Sequence, residues 1–293
     1  MPHKSGFVNI IGNPNVGKST LLNQLVGEKL AIVTSKAQTT RHRILGIVNG
    51  DDFQVIFSDT PGIVKPAYKL HEGMMEFVKT AITDADLILY MTELGERTVK
   101  DEKLIEKLQK TKVPVFHVIN KIDKGLQDEL EAHIAFWKQH LPDKKYFPIS
   151  AINGFGVPEL FQAILNELPE HPPYFDKTEL TDKPERFFVE EVVREKIFLN
   201  YKKEIPYATQ VVVEEFKESE DIIRIRAVIF VERKSQKPIL IGHKGEKIKA
   251  VGMQARQDLE KFFGKKIYLE LYVKVDENWR SNELKLKKYG YLH

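Results

Sequence analysis

The feature that most restricts this chain is the stretch GNPNVGKS at residues 12–19, set directly after the apolar run Phe7-Val8-Asn9-Ile10-Ile11. A polyphosphate needs donors that converge on its oxygens with no side chain in the way. Gly12 and Gly17 can take the backbone angles that wrap a loop around phosphate, and they leave room for close approach. Lys18 supplies a cation to the β- and γ-oxygens, and Ser19 a hydroxyl to Mg2+. The apolar run fits a buried parallel strand, and Leu21-Leu22-Asn23-Gln24-Leu25 fits the helix that follows. Such a helix turns its free N–H groups and positive dipole end toward the phosphates. The candidate nucleotide-binding residues of this stretch are Gly12, Asn13, Asn15, Val16, Gly17, Lys18, Ser19 and Thr20.

At 293 residues the chain is long enough for two domains with cores of their own. It has no cysteine, which excludes disulfides, thiolate metal sites and cysteine nucleophiles. No apolar run approaches the roughly eighteen residues that span a bilayer. The N-terminal MPHKSGFVNIIG has no signal-peptide core, so a cytoplasmic protein is expected. The net charge of +3 hides an asymmetry. Residues 1–176 hold 20 Lys and Arg against 22 Asp and Glu, and residues 177–293 hold 25 against 20. Within 224–266 the count is 12 against 4. That concentration suggests phosphate contacts, hence nucleic acid or an anionic surface.

The first half alternates candidate strands (7–11, 44–49, 53–58, 86–91, 113–119, 146–149) with candidate helices (18–27, 70–83, 99–111, 127–140, 157–168). This alternation predicts a mostly parallel sheet with helices on both faces. Residues 169–185, PEHPPYFDKTELTDKPE, carry four prolines and little apolar periodicity, as a linker would. Beyond them the pattern predicts helix 187–200, strands 207–217 and 222–233, helices 244–251 and 253–263, and strand 266–275. The expected division is 1–172, a linker 173–185, and 186–293.

Three further motifs sharpen the chemistry. Asp59-Thr60-Pro61-Gly62 follows a strand. An Asp there reaches Mg2+ through a water, and the Gly62 N–H reaches the γ-phosphate. Asn120-Lys121-Ile122-Asp123 follows the next-but-one strand. A carboxylate at Asp123 accepts from both N1–H and the 2-amino group of guanine, and would leave adenine unsatisfied, a mismatch that is costly in a buried site. Asn120 can tie loops together, and the stem of Lys121 can cover the base. Ser150-Ala151 fits the loop whose Ala151 N–H meets the guanine 6-oxo group.

This ordered set resembles the translation-factor-related GTPases. Lys36-Ala37-Gln38-Thr39-Thr40-Arg41-His42-Arg43 is similar to their first switch segment, in which a threonine closes on Mg2+. The resemblance assigns that part to Thr40, with Thr39 as the alternative, and makes Lys18, Thr40 and Gly62 the catalytic candidates. Ile63 stands where Ras-type proteins carry a water-orienting glutamine. The family shares this hydrophobic substitution, which implies slow intrinsic hydrolysis and help from a cation, a partner or another side chain. Asn15 matches the asparagine with which potassium-stimulated relatives hold K+.

In the second half, Gly242-His243-Lys244-Gly245 lies inside the basic stretch. Two glycines around two basic or polar residues make a sharp helix–helix turn that phosphates of about four single-stranded nucleotides can approach. Lys247, Lys249, Arg224 and Arg226 are further RNA-binding candidates. The α-β-β-α-α-β order is that of the bacterial, type II KH domain. An α/β P-loop GTPase domain, a proline-rich linker and a C-terminal α+β KH domain together resemble the Era family; the single phosphate cradle excludes relatives with tandem G domains. Membership implies a GTP/GDP switch with Mg2+ that binds the 3′ end of 16S rRNA, assists small ribosomal subunit assembly and attaches peripherally to the inner membrane. Lys285-Leu286-Lys287-Lys288-Tyr289 reads as either phosphate contacts or a frayed basic tail. Two alternatives are a GTPase module of an RNA-modifying system and a membrane-surface signalling GTPase. Residues 186–293 offer neither a second catalytic cluster nor an amphipathic helix with large apolar residues, so the ribosomal reading fits best.

Overall fold

The structure, a computed structural model, describes residues 2–292. Met1 and His293, the outer ends of the two expected domains, lie outside the described residues. The chain divides into two compact units. One comprises the chain up to Ala31 with Thr40–Lys65 and Met75–Asp182; the other comprises Ile32–Thr39, Pro66–Met74 and the chain from Lys183 on.

In the first unit, strands β1 (Lys4–Gly12), β2 (Ile44–Asn49), β3 (Phe53–Asp59), β4 (Leu87–Glu93), β5 (Val115–Asn120) and β6 (Lys145–Pro148) form one sheet in the order β2-β3-β1-β4-β5-β6. Only β2 runs antiparallel to its neighbour. Buried on both faces, β1, β3 and β5 are apolar runs rather than alternating patterns. Helices α1 (Lys18–Val26) and α5 (Val157–Glu167) pack together, and Phe161 of α5 meets Phe53 and Phe57 of β3. Helices α3 (Glu102–Lys110) and α4 (Gln127–His140) and the part of α2 (Lys69–Thr83) from Met75 on share a core cluster with Ile11, Ile88 and Tyr90. After β1 the chain goes to β3 on one side and then to β4 on the other. The strand order therefore reverses at β1, whose carboxyl end opens on the GNPNVGKS loop.

Residues 169–182, read from composition as part of a linker, hydrogen-bond back onto this sheet. Ile47 N–H donates to the Leu180 carbonyl at 2.9 Å, and Gln54 Nε2 donates to the Phe175 carbonyl at 2.9 Å.

The second unit carries α6 (Glu185–Asn200), β7 (Thr209–Glu218), β8 (Ile222–Val231), α7 (Gln236–Ile241), α8 (Glu246–Phe263), β9 (Lys266–Val275) and α9 (Glu283–Lys288). Its sheet runs β7-β8-β9. Val189, Val193 and Ile197 of α6 and Val251, Ala255 and Leu259 of α8 bury against Ile223, Ile225 and Ala227 of β8. The two helices expected at 244–251 and 253–263 are one helix, α8. Gly252 sits inside it, where a Cβ would meet only Leu271 at 3.5 Å, so it fails to break the helix. The missing helix is α7, ahead of the glycine loop. The basic C-terminal run is folded rather than frayed: Lys285 pairs with Asp276, Leu286 is buried, and the Tyr289 hydroxyl donates to Asp276 Oδ2 at 2.6 Å.

Candidate functional site

The loop between β1 and α1 turns at Gly17 (φ 102°) and Asn15 (φ 65°). A Cβ at Gly12 would stand 2.2 Å from the Met91 carbonyl oxygen, and one at Gly17 would stand 2.2 Å from Asn120 Nδ2. Neighbouring strands β4 and β5 therefore demand both glycines. Lys18 Nζ folds back on the loop, donating to the carbonyls of Gly12 at 3.1 Å and Asn13 at 2.8 Å. Burial pushes its pKa down from 10.5 to about 8, against the opposing pull of Asp59 and Glu96. Gly62 lies against the same loop, where a Cβ would be 2.7 Å from Pro14 Cα.

Beside Lys18 three oxygens converge. The Ser19 hydroxyl donates to Asp59 Oδ2 at 2.6 Å, the Thr40 hydroxyl to the same oxygen at 3.2 Å, and the two hydroxyls lie 2.9 Å apart. Asp59 Oδ1 is buried and has no hydrogen-bond donor among the described residues. Burial raises the Asp59 pKa, opposed by Lys18 and by the hydroxyl donors. Thr39 points elsewhere: its hydroxyl donates to the Lys36 carbonyl at 2.7 Å and lies 2.6 Å from the Thr34 hydroxyl. Ile63 packs against the core cluster of Ile11 and Tyr90 and gives its N–H to the Gly12 carbonyl at 3.2 Å.

The expected base-reading residues meet at the ends of β5 and β6. Asn120 donates from Nδ2 to the Val16 carbonyl at 2.8 Å and accepts at Oδ1 from the Ala151 N–H at 2.9 Å. The Ala151 amide, expected at the guanine 6-oxo group, is thus given to Asn120, because the Asn120 amide bridges the phosphate loop and the Ser150-Ala151 loop. Ser150 Oγ donates to Asp123 Oδ1 at 2.6 Å, which fixes the carboxylate and directs no donor to Oδ2. Lys121, at φ 65°, gives its ammonium to the Asn15 carbonyl at 2.7 Å and to Glu93.

Sequence reasoning missed Glu93 and Glu96. Asn13 Nδ2 donates to Glu96 Oε1 at 2.5 Å, so the loop after β4 holds the phosphate loop from the side opposite Thr40. Behind that loop runs a buried chain of three residues. The Gly95 N–H donates to His133 Nδ1 at 3.2 Å. His133 therefore carries its proton on Nε2 and gives it to the Thr92 hydroxyl at 3.0 Å. Thr92 then donates to His117 Nε2 at 2.9 Å. Burial pushes His117 down to about 3 and His133 to about 4, so both rings are neutral near pH 7. The available signal was the position of residues 93–96 at the carboxyl end of a strand beside β1.

In the second unit the GHKG loop joins α7 to α8. Gly242 (φ 76°), Lys244 (φ 48°) and Gly245 (φ 81°) are all left-handed, and His243 and Lys244 are exposed. Alongside, Ile248, Lys249, Gly252, Met253, Arg256, Leu269 and Leu271 line an apolar-floored groove of about 260 Å³. Lys247 and Lys249 stand with the loop on the first turn of α8. Arg224 and Arg226 do not join them. They alternate with Ile223 and Ile225, which face the helices, and so project from the opposite face of the sheet. There the Arg224 guanidinium lies 5.5 Å from the centre of the Tyr268 ring, and Arg226 pairs with Glu270 at 3.3 Å and Glu215 at 3.5 Å.

Residues 7–121 match the family described as 50S ribosome-binding GTPase, and residues 204–280 match the KH domain family. A crystal structure of an Aquifex aeolicus Era variant bound to GDP and aluminium fluoride is similar at 40% identity, covering 99% of this chain and 100% of that one with a TM-score of 0.95. A structure of Era in complex with MgGDPNP and nucleotides 1506–1542 of 16S ribosomal RNA is similar to the same extent: 40% identity, 99% and 100% coverage, TM-score 0.95.

Proposed function

The chain belongs to the Era family of GTPases, and from that premise we propose that it is a GTP-hydrolysing switch that binds 16S rRNA near its 3′ end and assists small ribosomal subunit assembly. The observation that carries this reading is the likeness to the rRNA-bound Era complex, which extends over both units rather than the G domain alone. The family matched by residues 7–121 has a large-subunit description. The 16S RNA of that complex is small-subunit RNA, and the likeness to it includes the KH unit, so the small-subunit reading is followed.

The nucleotide chemistry follows from the residues. Lys18 and the N–H groups of Asn13 and of residues 15–20 bind the phosphates, and Asp123 reads guanine with Asn120 and Ser150 holding its loop in place. The Ser19 and Thr40 hydroxyls and the buried, unmatched Asp59 Oδ1 form an all-oxygen donor set that suits Mg2+. Ser19 and Thr40 would hold the ion directly and Asp59 through water. When bound, Mg2+ neutralises charge on the β- and γ-oxygens. Gly62 offers its N–H to the γ-phosphate, and its lack of a Cβ lets it approach the phosphate loop. Ile63 can neither donate nor accept at its side chain, so no side chain there orients the attacking water and intrinsic hydrolysis is slow. Asn15, exposed on the rim of the loop, is the K+ candidate.

On the RNA side, Gly242, His243, Lys244 and Gly245 clamp the phosphates, with Lys247 and Lys249 beside them and bases in the groove between α8 and β9. Among the described residues no helix is long and apolar enough to cross a membrane. The family reading adds a cytoplasmic site of action with peripheral attachment to the inner membrane.

The test is binding of a 16S rRNA 3′-end oligonucleotide with GDP or a non-hydrolysable GTP analogue present. Tighter binding with the analogue by roughly 5–150-fold is expected. No binding in either state would overturn the RNA assignment, and equal binding would overturn the switch.

A further inference from the structure

The second unit contains more than the KH elements: Ile32–Thr39, the chain leading into Thr40, belongs to it as well. This segment lies on the carboxyl half of α6. Lys36 gives its ammonium to the carbonyls of Phe198 and Tyr201, the unpaired acceptors at the end of that helix. Arg194, held by Glu191 at 2.6 and 2.8 Å, donates to the Thr39 carbonyl, and the Val33 N–H donates to Glu195 at 3.3 Å.

Tyr201, the C-cap residue just after α6, faces both ways. Its carbonyl receives Lys36, while its buried side chain runs to the RNA loop. The hydroxyl donates to the carbonyl of Leu240, two residues before Gly242. The Lys247 ammonium lies 5.9 Å from the ring centre, and the Lys247 stem packs so closely on Gly242 that a Cβ there would be 2.7 Å from Lys247 Cγ. One side chain thus touches the residues on both flanks of GHKG. Burial pushes its pKa up to about 12, so the hydroxyl remains a donor throughout the physiological range.

We propose that Tyr201 is the positioning residue through which the segment ending at Thr40 sets the geometry of the GHKG loop. The contacts that would carry this are polar and end on main-chain carbonyls at helix termini, whereas the core between α6, α8 and the sheet is aliphatic. They can break and re-form while that core stays packed. When residues 36–40 shift with the nucleotide, Lys36 leaves or takes the α6 terminus, and the Tyr201 hydroxyl moves against Leu240.

The inference rests on the GTPase–RNA switch reading, and its test separates the two. The test variant is Tyr201→Phe, which keeps the ring and removes one hydroxyl. Its affinity for the 16S rRNA 3′-end oligonucleotide is measured with GDP and with the GTP analogue. The wild-type ratio of roughly 5–150-fold should fall to about 2-fold or less, with analogue affinity in the absence of RNA unchanged. Lys36→Gln, on a partly exposed loop residue, should lower the ratio equally, and the double variant should lower it no further. A wild-type ratio retained in Tyr201→Phe, or two losses that multiply, would overturn the relay alone. A wild-type protein with no ratio at all would overturn the relay and the switch together.

Discussion

The Ser19 hydroxyl donates to Asp59 Oδ2 at 2.6 Å, joining the first turn of α1 to the carboxyl end of β3. Thr40 adds its hydroxyl to the same oxygen, so an element before the sheet edge, a loop and a strand agree on one point beside Lys18. Asp59→Asn removes the anion from that point. GTP affinity should fall by roughly 10–150-fold in Mg2+, the worth of a charge-assisted contact, and change little in excess EDTA. Titration calorimetry in the two buffers checks this; an equal loss in both would mean that Asp59 acts on the nucleotide rather than through the ion.

Lys18 should make nucleotide binding sensitive to alkali. Its pKa in the unliganded protein is about 8, below the ordinary 10.5, because burial strips its hydration. Above pH 8 the neutral amine must regain a proton before it can meet phosphate as an ammonium, so GTP affinity should fall by roughly tenfold per pH unit. Stability runs the other way. The unfolded chain holds this proton up to pH 10.5 and the folded chain loses it near 8, so the unliganded protein gains stability as pH rises between these values. Lys18→Met should abolish that gain and tight GTP binding alike, as paired urea melts and binding curves at pH 7.5 and 9.5 would reveal.

Asp123→Asn should weaken GTP and make xanthosine triphosphate the better ligand, since a 2-oxo group needs a donor where the 2-amino group needs an acceptor. The Ser150 hydroxyl that now donates to Asp123 can donate equally to the amide oxygen, leaving the NH2 for the base. A competition assay with the two triphosphates reads the preference directly, and an unchanged order would remove the guanine assignment.

Asn15 bears on how a pocket without a water-orienting side chain is stimulated. Hydrolysis in K+ should exceed that in Na+ at matched ionic strength, and Asn15→Ala should bring the K+ rate down to the Na+ rate. Equal rates in the wild-type protein would assign stimulation to rRNA instead.

How much of this was legible depended on whether a residue's partner was near in the pattern or only in space. Gly12, Asp59 and Asn120 each end an apolar strand, Lys18 opens the helix that follows the first of them, and a parallel sheet brings such ends to one edge. Glu96 sits at such an end too, yet its reach to Asn13 depends on a loop held by His133 from a different element, and no motif records that. Thr39 and Thr40 were indistinguishable because adjacent residues differ only in which way the backbone turns them. In the KH unit, Gly252 was read as a helix end and the break lies at Gly242–Gly245, because a glycine ends a helix only where the chain needs positive φ. Arg224 and Arg226 counted toward the basic stretch, but charge along the chain carries no information on which sheet face it occupies.

The last prediction concerns the clamp. His243 and Lys244 are exposed, and Lys244 sits at φ 48°, a region that aspartate enters more readily than most residues. Replacing both with aspartate therefore alters charge at the loop while leaving the backbone one that aspartate tolerates and no core contact removed. RNA phosphates brought to Gly242 and Gly245 would then meet two carboxylates. Binding of the 16S rRNA 3′-end oligonucleotide should be lost at physiological salt, and any residual binding should depend less steeply on salt, by roughly 0.7 in the log–log slope per phosphate contact removed. GTP affinity without RNA should stay as in the wild type, since the nucleotide residues lie in the other unit. RNA bound with undiminished affinity and an unchanged salt slope would move the RNA site elsewhere, with the Arg224 and Tyr268 face of the sheet the next surface to test.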